Sequence, residues 1–291
     1  MRIEAPLPQW SIRALDTPET LAGWPALESA CARSGRIEVE LLAQMSRHGS
    51  KVLGVCAENE LWGAALGVLG EDQRSDRRVV QARLKLHLLL LMVHPVRRRR
   101  GLATALMLGL RRAAELDGLP LITWELDPLD SRSAAFSFHR LGATSSGWLS
   151  EKAPALGSRQ GPRRIEVDWW LRSRRVQSRA AARRESLTLA HYLEAGAQQL
   201  NPAGLNAAGM PTPSILVEGA SSPMALLELP TEWSEVRRQD AGLAAAWREQ
   251  VEGLLEQAFA LGYLLTDFLM LENEQYPRAY LVLAAGDSTL G

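Results

Sequence analysis

Val93-His94-Pro95-Val96-Arg97-Arg98-Arg99-Arg100-Gly101-Leu102-Ala103-Thr104 decides how the rest of this chain is read. Before it, Val79 to Val93 is strongly apolar and includes Leu88-Leu89-Leu90-Leu91-Met92-Val93, a pattern that predicts a central strand buried on both faces. After it, Leu102, Leu106, Leu110 and Ala113 recur at the spacing of one buried helix face, from Gly101 to Asp117, and Gly118 ends the run. A strand, a tight basic turn and a helix therefore follow one another. The start of a helix carries unpaired N–H groups and the positive end of the macrodipole, so this unit suits a diphosphate. Gly101 and Ala103 keep the approach free of side-chain bulk, the Thr104 hydroxyl can add a donor, and the arginines add favourable charge at the rim.

Working outward, Gln9 to Leu15 reads as a strand, and Thr17-Pro18-Glu19 starts a helix running to about Arg33. Glu38 to His48 is a second helix, and Val52–Ala57 with Leu61–Leu69 form a hairpin turning at Glu58-Asn59-Glu60. Beyond the basic turn come a strand Leu119–Leu126, a helix Asp130–Leu141 closed by Gly142, and a strand Arg164–Leu171. These make an α/β domain over residues 1–172, a mixed twisted sheet flanked by helices. Residues 173–184, rich in alanine and arginine (Arg174, Arg175, Arg179, Arg183, Arg184), read as a connector. Residues 185–291 read as a smaller α+β domain. It has a helix Glu185–Leu200, a Pro-, Gly- and Asn-rich loop Asn201–Ser214, strands Ile215–Glu218 and Met224–Leu229, a helix Asp240–Leu261, and a hairpin Tyr263–Leu271 with Tyr280–Ala284. Its order loosely echoes half of the first domain.

The 33 basic and 33 acidic residues of this 291-residue chain cancel, so no global field recruits nucleic acid or an anionic membrane. Gripping of nucleic-acid phosphates by Arg97–Arg100 is the weaker reading, since no aromatic residues interleave. Glu4, Pro6 and Pro8 stand where a signal peptide needs a cationic start, and no run reaches the ~18 apolar residues of a membrane span. A cytoplasmic protein is expected, with Cys31 and Cys56 as free thiols and no metal site.

The segment Arg98-Arg99-Arg100-Gly101-Leu102-Ala103 resembles the pyrophosphate loop of the GNAT N-acyltransferase superfamily, Arg/Gln-x-x-Gly-x-Gly/Ala. Leu121 to Arg132, His139-Arg140-Leu141-Gly142-Ala143, Val167-Asp168-Trp169, Trp247-Arg248 and Gly262-Tyr263 further resemble a family of predicted GNAT acetyltransferases with a C-terminal extension. The resemblance implies an acyl-coenzyme A site, for acetyl-CoA or another short acyl-CoA. Arg98, Arg99, Arg100, Gly101, Leu102, Ala103 and Thr104 would hold the pyrophosphate, and Met92 and Val93 would pair with the pantetheine amides. Arg132 would stand on the cofactor side, in place of a common asparagine. It implies transfer of an acetyl group, or another short one such as succinyl, to the amine of a small molecule such as an amino acid.

Two departures bear on the chemistry. The position of the family's tyrosine acid is Phe138, and the region Trp148–Arg164 keeps Arg164 but has Arg163 where the family has an aspartate. Acyl transfer requires a neutral amine, hence a base. Glu125 on the fifth strand and His87 on the fourth are the candidates, the latter acting through a water or else packed in the core. Trp124 either walls the acyl pocket or packs in the core. Arg163 or Arg164 could fork onto an acceptor carboxylate or belong to a surface loop. The second domain carries no motif: Trp233 and Trp247 read as core, and His191 with Tyr192 as a helix face. It is expected to close over the first domain's cleft or to pair two chains as a homodimer. A non-catalytic acyl-CoA sensor is the alternative function.

Overall fold

The computed structural model describes residues 9–32, 35–57, 60–72, 84–149, 162–181, 187–214, 218–272 and 276–286. Several expectations therefore fall outside the described residues: Val79 to residue 83 of the long strand, most of Trp148–Arg164, Arg183 and Arg184, the start of the helix from Glu185, and Ile215 to residue 217. The chain divides into two compact units, Met1–Trp124 and Glu125–Gly291.

The first unit orders its strands β1 (Trp10–Ala14), β2 (Lys51–Ala57), β3 (Glu60–Glu71), β4 (Leu84–Val93) and β5 (Leu121–Leu126, whose last two residues begin the second unit). Neighbours from β1 to β4 are antiparallel, while β4 and β5 are parallel, so the sheet is mixed. Helices cover both faces. Val52 and Cys56 of β2 pack with Leu15, Leu21, Trp24 and Leu42, which belong to or border α1 (Pro18–Leu21), α2 (Trp24–Ala30) and α3 (Val39–Arg47). Strand alternation turns Leu53 to the other face, where it lies against Gly109 of α4 (Leu102–Leu116).

The single helix expected from Thr17 is two. Thr17 caps α1 by accepting from the Thr20 amide, and the helix stops at Ala22-Gly23. Pro25 has no N–H to return to Leu21, so a continuous ladder cannot form. Gly23 passes so close to Leu61 that an added Cβ would stand 2.9 Å from the Leu61 Cβ. Strand β4 also departs from expectation, because Leu84 and Leu89 are exposed instead of buried. At Leu89 the cause is a bulge. Leu66 pairs with Leu90 and Gly67 with Leu88, which leaves Leu89 as an extra residue.

In the second unit, α5 (Ser131–Ala134) continues as a π-helical turn over Ala135–Arg140, and Gly142 closes it with φ of 75°. Strand β6 (Ile165–Trp170) makes antiparallel bridges to Thr144 and Trp148. The stretch read as a connector holds a capped helix, α6 (Arg174–Ala180), with Val176 and Arg179 buried. Next come α7 (Leu189–Glu194), the short strands β7 (Gln198–Gln199), β8 (Gly204–Leu205) and β9 (Pro211–Thr212), and β10 (Met224–Leu229). Helices α8 (Trp233–Gln239) and α9 (Ala241–Ala260) lead into the hairpin β11 (Tyr263–Leu271) and β12 (Arg278–Ala285). The four-stranded sheet runs β11-β12-β10-β7, with Trp247 fully buried and Trp233 nearly so. Helix α7 is shorter than predicted because Gly196, at φ of 82°, turns the chain into β7.

Candidate functional site

Three local structures carry the candidate chemistry, and the first is the divergence of β4 from β5. These strands pair at Leu86/Ile122 and His87/Thr123, and the ladder stops there although both strands continue. The bulge at Leu89 follows at once and bends β4 away. Met92 is buried and Val93 half-buried at the far end of this free stretch. The Val93 carbonyl accepts from Arg98 Nε at 3.2 Å and lies 3.6 Å from Cys31 Sγ.

The second is the turn into α4. Pro95–Arg97 forms one 3-10 turn, then Arg99 and Gly101 both take left-handed conformations with φ of 61° and 78°. Gly101 is the N-cap and supplies no side chain to the first amides of the helix; a Cβ added there would meet nothing within 4 Å. Leu102 turns its side chain into the core while Ala103 and Thr104 stay half-buried. Among the four arginines, Arg97 is spent on structure: its guanidinium lies 4.1 Å from the Trp62 ring centroid and 3.5 Å from Glu60. Arg98 folds back on Val93 as described, and Arg99 and Arg100 are exposed. The close approach of β3 to β4 at this end depends on Gly63, where a Cβ would lie 2.9 Å from the Met92 carbonyl oxygen.

The third is the pair of candidate bases, which differ in setting. His87 is half-buried, with Nδ1 3.2 Å from the hydroxyl of the fully buried Thr123, its ladder partner. Glu125 is half-buried on β5 and lines a cavity of about 500 Å³ in the second unit, together with Arg132 and Arg164. It forms a long ion pair with Arg164, whose Nε lies 4.0 Å from Oε2, too far for a hydrogen bond. Arg132 is exposed and paired with Glu232 at 2.9 Å. Trp124 is buried, and Phe138 is fully buried within the π-helical turn. Arg163 lies 4.3 Å from the Trp148 ring centroid and donates to Glu256 at 2.9 Å, so its fork is already committed.

One strong interaction had no signal in the sequence beyond the Trp247-Arg248 pair. Arg248 reaches Asp127 with both terminal nitrogens, at 3.3 and 2.9 Å, and its guanidinium stands over Trp233. Among the described residues no cluster of His, Cys, Asp and Glu could hold a metal, and no helix is long and apolar enough to cross a membrane.

Residues 11–143 match the model of the acetyltransferase (GNAT) family. This segment is a GNAT acetyltransferase domain. The GNAT match ends just after Gly142, and the rest of the second unit forms its C-terminal extension. No match is found among curated proteins. Among solved structures, the chain is similar to the ribosomal-protein-S18-alanine N-acetyltransferase of Escherichia coli, at 16% identity over 56% of this chain and 94% of that one, with a TM-score of 0.43. It is also similar to Naa20 of Chaetomium thermophilum in complex with a bisubstrate analogue (14% identity, 60% and 90% covered, TM-score 0.43). A third is yncA of Salmonella typhimurium with its cofactor acetyl-CoA (17% identity, 56% and 94% covered, TM-score 0.41). These likenesses are distant, and the family assignment rests on the sequence match.

Proposed function

We propose that the protein is an acyl-CoA-dependent N-acyltransferase that moves an acetyl or other short acyl group to the amine of a small molecule. One observation carries the reading: β4 runs on past its ladder with β5 and leads into a helix whose first amides have no side-chain cap and whose N-cap, Gly101, has nothing within 4 Å of where a Cβ would stand. Converging backbone donors at a helix start suit a diphosphate, and a strand edge without a neighbour suits the amides of an extended chain.

The roles of the chain's own residues follow. The amides of Leu102, Ala103 and Thr104 hold phosphate oxygens, and Arg99 and Arg100 add charge at the rim. Met92 and Val93 orient the pantetheine arm through their backbone. The thioester of the bound cofactor supplies the activated acyl group. Glu125, which has no hydrogen-bonded cation among the described residues, takes a proton from the acceptor's ammonium and so frees the neutral amine that attacks; His87 is the second candidate and would relay through water. The departing thiolate draws its proton from solvent, because Phe138 has no hydroxyl. A non-catalytic acyl-CoA sensor is the second reading, favoured by that same Phe138.

Release of free thiol from acetyl-CoA and succinyl-CoA over a panel of small amines tests the proposal. Turnover with some amine is expected. Tight cofactor binding without turnover across the panel would establish the sensor, and absence of any thermal shift with coenzyme A would sink both.

A further inference from the structure

The cavity of about 500 Å³ in the second unit has walls from the end of β5, the start of α5, the approach to β6 and the first turn of α8. It is a built cavity. Ser131 Oγ donates to the Pro230 carbonyl at 2.8 Å, tying the start of α5 to the loop before α8, and the Arg248 clamp on Asp127 fixes the end of β5. The nearly buried Trp233 supplies an aromatic wall.

Seven charged side chains line this space, and four are already committed to internal partners. Asp127 is held by Arg248, Asp130 caps α5 by accepting from the Ser133 amide and hydroxyl, and Arg132 is paired with Glu232. Three are left over. Glu125 and Arg164 stand 4.0 Å apart without a hydrogen bond, and Arg237 has only the Trp233 ring, 5.9 Å away, among the described residues. Among the described residues these three make no side-chain hydrogen bond, Glu125 and Arg164 forming only a long ion pair that a ligand can enter, so one carboxylate and two guanidinium forks are available at one cavity. A guanidinium fork matches the two oxygens of a carboxylate, and a carboxylate matches an ammonium.

We infer that this cavity binds a small molecule carrying both an amine and a carboxylate, with Arg164 and Arg237 on its carboxylate and Glu125 on its ammonium. The inference deepens the acyltransferase reading, on which it rests only in regarding this ligand as the acceptor.

The test is calorimetric binding to the full chain with no acyl donor present, comparing glutamate and glycine with amines of similar size that lack the carboxylate. Amino acids should bind, and loss of the carboxylate should weaken binding by about tenfold or more. Arg237→Ala and Arg164→Ala should each weaken amino-acid binding by a similar factor. Arg237→Lys, which keeps the charge but loses the fork, should fall between. Arg238→Ala, a neighbour bonded to Glu235 and outside the cavity, should change nothing. Equal binding of amines and amino acids, no binding of either, or an Arg237→Ala effect confined to coenzyme A would overturn the inference. The wild-type comparison needs no variant, so misfolding cannot mask the result. Because no donor is present, failure of acyl transfer leaves this site standing. Conversely, turnover on carboxylate-free amines that ignores Arg237→Ala would remove this site and spare the acyltransferase.

Discussion

Among the described residues two parallel strand pairs, β4 with β5 and β7 with β10, are each joined by a two-residue ladder, and they end in opposite ways. In the first unit β4 and β5 pair at Leu86/Ile122 and His87/Thr123 and then part. In the second, β7 and β10 pair at Gln198/Ala225 and Gln199/Leu226. There the next residues fill the gap. Asn201 donates from Nδ2 to the Glu228 carbonyl at 3.1 Å and accepts from the Glu228 amide at 2.7 Å, so its side-chain amide imitates one more rung. The Glu228 carboxylate accepts from the Ala203 amide at 2.8 Å and from Arg278 Nε at 2.8 Å. Donating to the Glu228 carboxylate holds the Arg278 guanidinium charged, with its pKa raised above the ordinary arginine value. Diverging strands leave backbone groups that must find partners. An internal amide meets that need in one place; in the other the chain turns into a helix whose first amides carry no side-chain cap.

Breaking the filled pair should have the largest effect. Arg278→Ala leaves the buried Glu228 carboxylate without its cation and should cost about 3 kcal/mol or more, read as a lowered urea midpoint. Blocking the open pair comes next. Gly101→Val puts a branched side chain at φ of 78° into open space before α4, and coenzyme A binding by calorimetry should weaken on the order of 100-fold with the fold retained. Asn201→Ala sharpens the contrast with the smallest change. It should destabilise by about 1–3 kcal/mol, because the Glu228 amide and carbonyl lose their partners. It should also leave one coenzyme A bound per chain, whereas a second equivalent would mean that the filled gap is a latent cofactor cleft.

The difference between the pairs was half legible in the sequence. Helix α4 announces itself through its apolar spacing and Gly101, and β10, α9, β11 and β12 stand close to where their patterns put them. Strand β7 is two glutamines with no alternation to read, and Asn201 looks like any loop asparagine until its partner, 27 residues on, is in place. Helix α6 was hidden by its charge. Arg179 is buried only because Asp267 neutralises it from 88 residues away, and no local pattern encodes that. Helix α8 was missed for the opposite reason, having one short buried face, Trp233 and Val236, among charged residues. So the turn into α4 is legible from adjacent residues, whereas the cavity with Arg164 and Arg237 is assembled from segments too distant to show a spacing.

Asp267 also bears on how this chain is born. Its carboxylate gathers Arg179 from α6, Tyr192 from α7 and His139 from the π-helical turn, over separations of 88, 75 and 128 residues. Contacts this distant cannot close until β11 leaves the ribosome. Arg179 therefore waits through the synthesis of those 88 residues as a solvated cation, and the second unit cannot set as a whole before β11 has been made.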